Sequence, residues 1–93
     1  MLRVAAEKNV SRALARLTPD EQAKVLDVLR GLPAAFGRPH TRAGLGLRQL
    51  RQGTYEARIG LQLRLLFERD GDLLVIKTLG DHATIRRYLR DRA

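Results

Sequence analysis

The sequence predicts an α+β domain: an N-terminal helical hairpin packed on a small, twisted, mainly antiparallel sheet of three or four strands, with a short C-terminal helix. Three observations predict it. Thr18-Pro19-Asp20-Glu21 opens a segment with helical periodicity. Between Thr54 and Leu79, three strand-like runs are separated by Gly60 and by Asp70-Gly71. Beyond Gly80 the period returns to that of a helix, with Ile85 and Leu89 four apart among arginines. A chain of 93 residues has room for one domain, residues 1–93, and a modest core.

The elements follow in order. Leu2 to Val4 read as a brief edge strand. Residues 7 to 17 read as an amphipathic helix, with Val10, Leu14 and Leu17 on one face and Arg12 and Arg16 on another. Thr18 and Glu21 form a capping box, Pro19 suits a first helical turn, and Asp20 and Glu21 complement the positive end of the helix dipole. That second helix is expected to run to about Arg30 and to stop at Gly31 and Pro33. Residues 33 to 48 read as a long loop rich in Gly and Pro, carrying Arg38, His40, Arg42 and Arg48, with Leu45, Leu47 and Leu50 tucking its end back onto the core. Residues 54–59 alternate Tyr55, Ala57 and Ile59 against Thr54, Glu56 and Arg58. Residues 61–68 alternate Leu61, Leu63, Leu65 and Phe67 against a face that holds Arg64. Residues 73–79 are apolar on both faces except at Lys77 and Thr78, as befits a central strand. Residues 83–91 form the basic tail helix.

The charge is lopsided. Eighteen Lys and Arg face ten Asp and Glu, for a net charge of +8, and fifteen of the eighteen are arginine. Arginine binds phosphate bidentately and stays charged, so a polyanionic or acidic partner is expected. There is no cysteine, which excludes disulfides, thiolate catalysis and cysteine-based zinc sites. The apolar runs are too short to span a bilayer, and the N-terminus lacks the apolar stretch of a signal peptide. A cytoplasmic protein with no membrane partner is expected.

His40 and His82 are the only histidines, too few for a metal site, and the chain has no phosphate-binding glycine loop. Chemistry must therefore use Arg, His, Tyr and a few acids. These suffice to cut RNA. The 2′-OH attacks the adjacent phosphate when a base takes its proton, cations stabilise the crowded phosphorane, and an acid protonates the departing 5′ oxygen. His82 can serve as acid or base near neutral pH. Arg58 and Arg64, on a rigid strand face, can hold the phosphorane, and Tyr88 can bond a phosphate or stack on a base. Arg86, Arg87 and Arg90 of the tail helix are candidate RNA-binding residues, divided between contact with RNA, contact with a protein partner and plain solvation.

The helical hairpin and long loop are followed by Leu50-Arg51-Gln52-Gly53-Thr54-Tyr55-Glu56-Ala57-Arg58, by Leu63-Arg64-Leu65-Leu66-Phe67 and by Asp70-Gly71-Asp72. Val75-Ile76, Gly80-Asp81-His82 and Tyr88 complete the order. This pattern resembles the RelE/ParE superfamily of type II toxin–antitoxin toxins, nearest its YafQ-like branch, whose last strand ends in Gly-x-His. The resemblance covers nearly the whole chain and is best from Leu50 onward.

The resemblance implies a sheet that binds mRNA in the ribosomal decoding site and cleaves it. The arginine of the hydrophobic-Arg-Leu-hydrophobic-aromatic pattern falls on Arg64, the catalytic residue after the strand-ending glycine on His82, the assisting tyrosine on Tyr88, and a basic residue of the preceding strand on Arg58. Where RelE carries two lysines, this chain has Glu56 and Arg58, and Glu56 is open to reading as a general base or as the partner of a cross-strand arginine. The implied partners are a cognate antitoxin, held in a toxin–antitoxin hetero-oligomer, together with mRNA and the ribosome. No metal or other cofactor is implied. Replacing Arg64 or His82 by Ala is expected to abolish toxicity and leave the fold intact. ParE-type members instead act on DNA gyrase and cut nothing, and a non-catalytic binding module is the third reading.

Overall fold

Reciprocal hydrogen bonds between Thr18 and Glu21 open the helix that organises the N-terminal half. The Thr18 N–H donates to Glu21 Oε1 at 3.0 Å and the Glu21 N–H donates to Thr18 Oγ1 at 3.2 Å, which is the expected capping box. The computed structural model describes residues 2–35 and 46–91. Within them the order is β1 (Arg3–Ala6), α1 (Lys8–Ala15), α2 (Pro19–Ala35), β2 (Leu47–Arg51), β3 (Thr54–Arg58), β4 (Arg64–Asp70), β5 (Leu73–Gly80) and α3 (His82–Asp91). The α+β class and the order of helices and sheet are as predicted.

The sheet has five strands rather than three or four, ordered β1-β5-β4-β3-β2. β2 to β5 pair antiparallel, and β1 lies parallel to β5, with Arg3 opposite Leu73 and Ala6 opposite Ile76. The additional strand is β2, in a stretch that reads as the end of a loop and its approach to the core. Its ladder slips between Gln49 and Arg51, so Leu47 and Leu50 fall three apart and the two-residue alternation that signals a strand is lost. β4 starts at Arg64 rather than Leu61. Both the Ile59 and Gly60 N–H groups donate to the Leu63 carbonyl, making a turn that leaves Leu61 91% exposed.

α2 runs through Gly31 and Pro33 to Ala35 instead of stopping near Arg30. The ring of Pro33 removes a helical hydrogen bond, a penalty of about 3 kcal/mol in a helix interior. Against it, Leu32 and Ala35 are fully buried, and a buried leucine alone contributes about 1.5–3 kcal/mol. Packing therefore carries the helix past its sequence stop signals.

The core lies between α1, α2 and one face of the sheet. Val10, Val25 and Leu32 pack on Ala57, Leu65, Phe67, Leu74, Ile76 and Leu79, and Tyr55 stacks on Phe67 with ring centres 5.5 Å apart. β5 keeps its apolar residues on this face through a bulge. Ile76 pairs with Phe67 and Thr78 with Leu66, so Lys77 is the extra residue. The Lys77 carbonyl accepts a 3.0 Å hydrogen bond from Asn9 Nδ2, and Lys77 Nζ is 2.7 Å from Glu7 Oε1.

α3 covers part of the opposite face. It packs on β5 and β4. Ile85 is buried apart from the main core, and the Tyr88 hydroxyl donates to Glu68 Oε2 at 3.3 Å. Glu68 shares its strand parity with Leu66 and Arg64, so α3 lies over the face that carries the sequence-predicted site.

Candidate functional site

Four residues form a row across β3, β4, β5 and the turn that leads into β2: Gly46, Arg58, Arg64 and Gly80. Arg58 and Arg64 are direct partners of β3 and β4, and Arg64 is opposite Gly80 of β5. The Arg58 N–H donates to the Gly46 carbonyl at 3.3 Å. Direct partners project to the same face, so the two arginines stand side by side with a glycine at either end. The glycines have separate reasons. Gly46 has φ of 66° and lies so close to Arg58 that an added Cβ would meet the Arg58 Cβ at 3.4 Å. At Gly80 an added Cβ would come within 2.8 Å of the Thr84 side chain, so only glycine lets the first turn of α3 fold onto the strand end.

One acid serves this row. Glu56, two residues before Arg58 and on the same face, is almost fully buried, its side chain 4% exposed. Arg64 Nη1 donates to Glu56 Oε1 at 3.0 Å from a side chain 14% exposed. Arg48 of β2, the direct partner of Glu56, brings Nη2 to 3.9 Å from the same oxygen. Glu56 Oε2 and Arg64 Nε are buried without a hydrogen-bond partner. Arg48 and Arg64 thus share the Glu56 carboxylate, with Glu68 farther along the same face beside Tyr88, and Arg58, which is exposed, forms no ion pair among the described residues.

α3 brings His82 to the same end of the sheet and carries Arg86, Arg87, Tyr88 and Arg90 away from it along the helix. Asp81 caps it: Asp81 Oδ1 accepts hydrogen bonds from the N–H and the hydroxyl of Thr84, both at 2.8 Å. The Thr84 N–H bond, reinforced by the hydroxyl, holds the Asp81 carboxyl below the usual carboxylate range. His82 is therefore the first residue of the helix, exposed, two residues past the partner of Arg64. At about 100° per residue, His82, Arg86 and Arg90 form one stripe, while Ile85, Tyr88 and Leu89 face the sheet. Ala83, Arg86, Arg87 and Arg90 line a recess of about 550 Å³ open to solvent.

The structure thus gathers Arg58, Arg64 and His82 at one sheet end and spreads Arg86, Arg87 and Arg90 along the adjoining helix. Tyr88 is turned toward Glu68, half-buried between α3 and the sheet. Glu56 takes the cross-strand partner role. Arg48 belongs to the site although its strand reads as loop. His40, Arg38, Arg42, Leu45 and Arg92 lie outside the described residues. Among the described residues no three His, Asp or Glu side chains are grouped to hold a metal ion, and no helix is long and apolar enough to cross a membrane.

No family model and no curated protein matches the sequence. Solved structures do. A chain of the archaeal RelE–RelB complex from Pyrococcus horikoshii superposes with a TM-score of 0.68 at 22% identity, over 86% of this chain and 93% of that one. The chain has the RelE/ParE–YoeB/YafQ toxin fold. A chain of the toxin–antitoxin complex RelBE2 from Mycobacterium tuberculosis matches at 26% identity and a TM-score of 0.61, over 87% and 98% of the two chains. YafQ from Escherichia coli matches at 15% and 0.60, over 91% and 98%. The RelE/ParE likeness thus runs across the branches and does not single out YafQ.

Proposed function

We propose that this chain is the toxin of a type II toxin–antitoxin pair, acting as a ribosome-dependent mRNA endoribonuclease. The observation that carries the reading is the direct pairing of Arg58 with Arg64. Like charges directly opposed on neighbouring strands destabilise a sheet, and a phosphodiester seated between them reverses the sign of that interaction. Neither a structural core nor a plain solvated surface calls for such a pair. The solved toxin complexes that share the fold supply the context.

In this reading Arg64, fixed by Glu56, and Arg58 bind the scissile phosphate and stabilise the phosphorane. His82 is the acid or base. The 2′ oxygen bonds to phosphorus and the bond to the 5′ oxygen breaks. The 2′ proton passes to the base, and the 5′ oxygen takes a proton from the acid, leaving a 2′,3′-cyclic phosphate and a 5′-hydroxyl. No metal takes part. Tyr88 assists by fixing α3, and with it His82, against Glu68. Arg86, Arg87 and Arg90 contact RNA phosphates away from the cut. A cognate antitoxin, acidic where this chain is basic, would cover the arginine face.

Controlled induction in bacteria tests this reading. Protein synthesis should stop within minutes while the DNA-damage response stays silent. Induction of that response with translation intact would favour the gyrase-directed alternative instead.

A further inference from the structure

Thr84 is held more tightly at the start of α3 than a helix cap requires. An ordinary cap needs only a hydrogen bond from an early helical N–H to the capping oxygen. Here Asp81 Oδ1 accepts from the Thr84 N–H and also from the Thr84 hydroxyl, both at 2.8 Å. The same side chain lies against Gly80, where an added Cβ would come within 2.8 Å of Thr84 Cβ, Cγ2 and Oγ1. Thr84 is thus wedged between the strand end opposite Arg64 and the residue that precedes His82. His82 is exposed, and its imidazole forms no hydrogen bond among the described residues. The backbone of this first turn therefore decides where the ring stands.

We propose that Thr84 is a positioning residue for His82: by bridging Gly80 and Asp81 it sets the first turn of α3, and with it the imidazole, against the pair Arg58 and Arg64. The inference rests on the assignment of His82 as acid or base above. It adds a residue that acts through His82 and touches none of the reacting atoms. The path is short. Arg64 faces Gly80 in the ladder of β4 and β5, Gly80 meets Thr84, Thr84 bonds to Asp81, and His82 follows directly in the chain. The Asp81 carbonyl also accepts the Ile85 N–H at 3.1 Å, and Ile85 is buried. The turn is therefore anchored beyond the Thr84 hydroxyl and survives its removal. Reacting groups must come within about 3–3.5 Å in the right orientation, and a displacement of about 1 Å can cost about 10²-fold in rate. A small tilt of this turn is felt in the reaction before it is felt in the fold.

The test is a double-mutant cycle read by single-turnover cleavage of a reporter mRNA on programmed ribosomes, with the purified full chain in excess. Thr84→Val keeps the branched shape and removes the hydroxyl. It should lower the maximal rate about tenfold while the half-saturating concentration changes less than about twofold. Thr84→Ser keeps the hydroxyl and should stay within about threefold of wild type. Gly80→Ala drives a methyl group into Thr84 and should cost about 10²-fold. In a His82→Ala background, Thr84→Val and Gly80→Ala should cause no further loss, because residues that act through one group are not additive. Thr18→Ala, which weakens the cap of α2 instead, is the control for lost helix stability and should cleave like wild type. Thr84→Val cleaving within about twofold of wild type, or losing as much rate without His82 as with it, would overturn the proposal. An inactive wild-type chain, or a His82→Ala variant as active as wild type, would overturn the proposed function together with it, and is a distinct result.

Discussion

Glu56 and Arg64 are joined across β3 and β4 by a 3.0 Å hydrogen bond between two largely buried side chains. Removing either partner leaves the other as an uncompensated buried charge. Glu56→Ala should therefore cost about 3 kcal/mol of stability in chemical denaturation, since breaking such pairs costs about 3–5 kcal/mol and Arg64 keeps a little solvent. The same bond corrects an expectation from sequence. Arg64→Ala would remove the proposed phosphate ligand and also weaken the fold, so loss of toxicity in that variant does not separate the two effects. Arg64→Lys keeps the charge and loses the planar fork, and should lower activity with a smaller loss of stability.

His82 offers the cleaner separation. Its side chain is exposed at the start of α3, so His82→Ala should change stability by no more than about 0.5 kcal/mol. If His82 is the acid or base, cleavage should fall by about 10²–10⁴. Denaturation midpoints and cleavage rates measured on the same preparation check both halves of this prediction.

The core and the capping box set the scaffold. Leu32→Ala should cost about 2–5 kcal/mol, because Leu32 is completely buried beneath the sheet. Thr18→Ala should cost about 1 kcal/mol through loss of the cap. A Leu32→Ala loss smaller than the Thr18→Ala loss would contradict the packing argument for the extension of α2 past Pro33.

How far the sequence reaches depends on whether local signals or distant contacts decide each element. The capping box, the alternation at Tyr55, Ala57 and Ile59, and the Asp70-Gly71 turn are local and legible. β2 is not, because its bulge breaks the period. The end of α2 is not, because burial of Leu32 overrides Gly31 and Pro33. The same division holds at the site. Arg58, Arg64 and His82 can be picked out from a strand face and a strand end. Arg48 joins them only through pairing with Glu56, which the sequence places eight residues away behind a turn. The Glu68 partner of Tyr88 is likewise twenty residues distant and visible only once α3 is seated.

Acid should loosen α3 first at its cap. The Asp81 carboxyl is held below its ordinary value, chiefly by the Thr84 N–H. A group with a lowered folded pKa stabilises above its unfolded value, near 3.9 for aspartate, and that contribution is lost as pH falls through the lower folded value. Circular dichroism below about pH 4 should show this loss. Asp81→Asn keeps a competent cap and should remove the Asp81 part of the acid dependence. Lys77 behaves in the opposite sense. Its bond to Glu7 raises its pKa, so its contribution is full below the ordinary lysine value and is lost as pH climbs through the raised one.

Cleavage of mRNA at the arginine row is best tested by 5′-end mapping. A reporter mRNA is incubated with the purified chain, with and without programmed ribosomes, beside His82→Ala. New 5′-hydroxyl ends should form that require ribosomes and are lost in the variant. A folded wild-type chain that leaves the message intact on the ribosome, or a variant that cuts as fast as wild type, would contradict it.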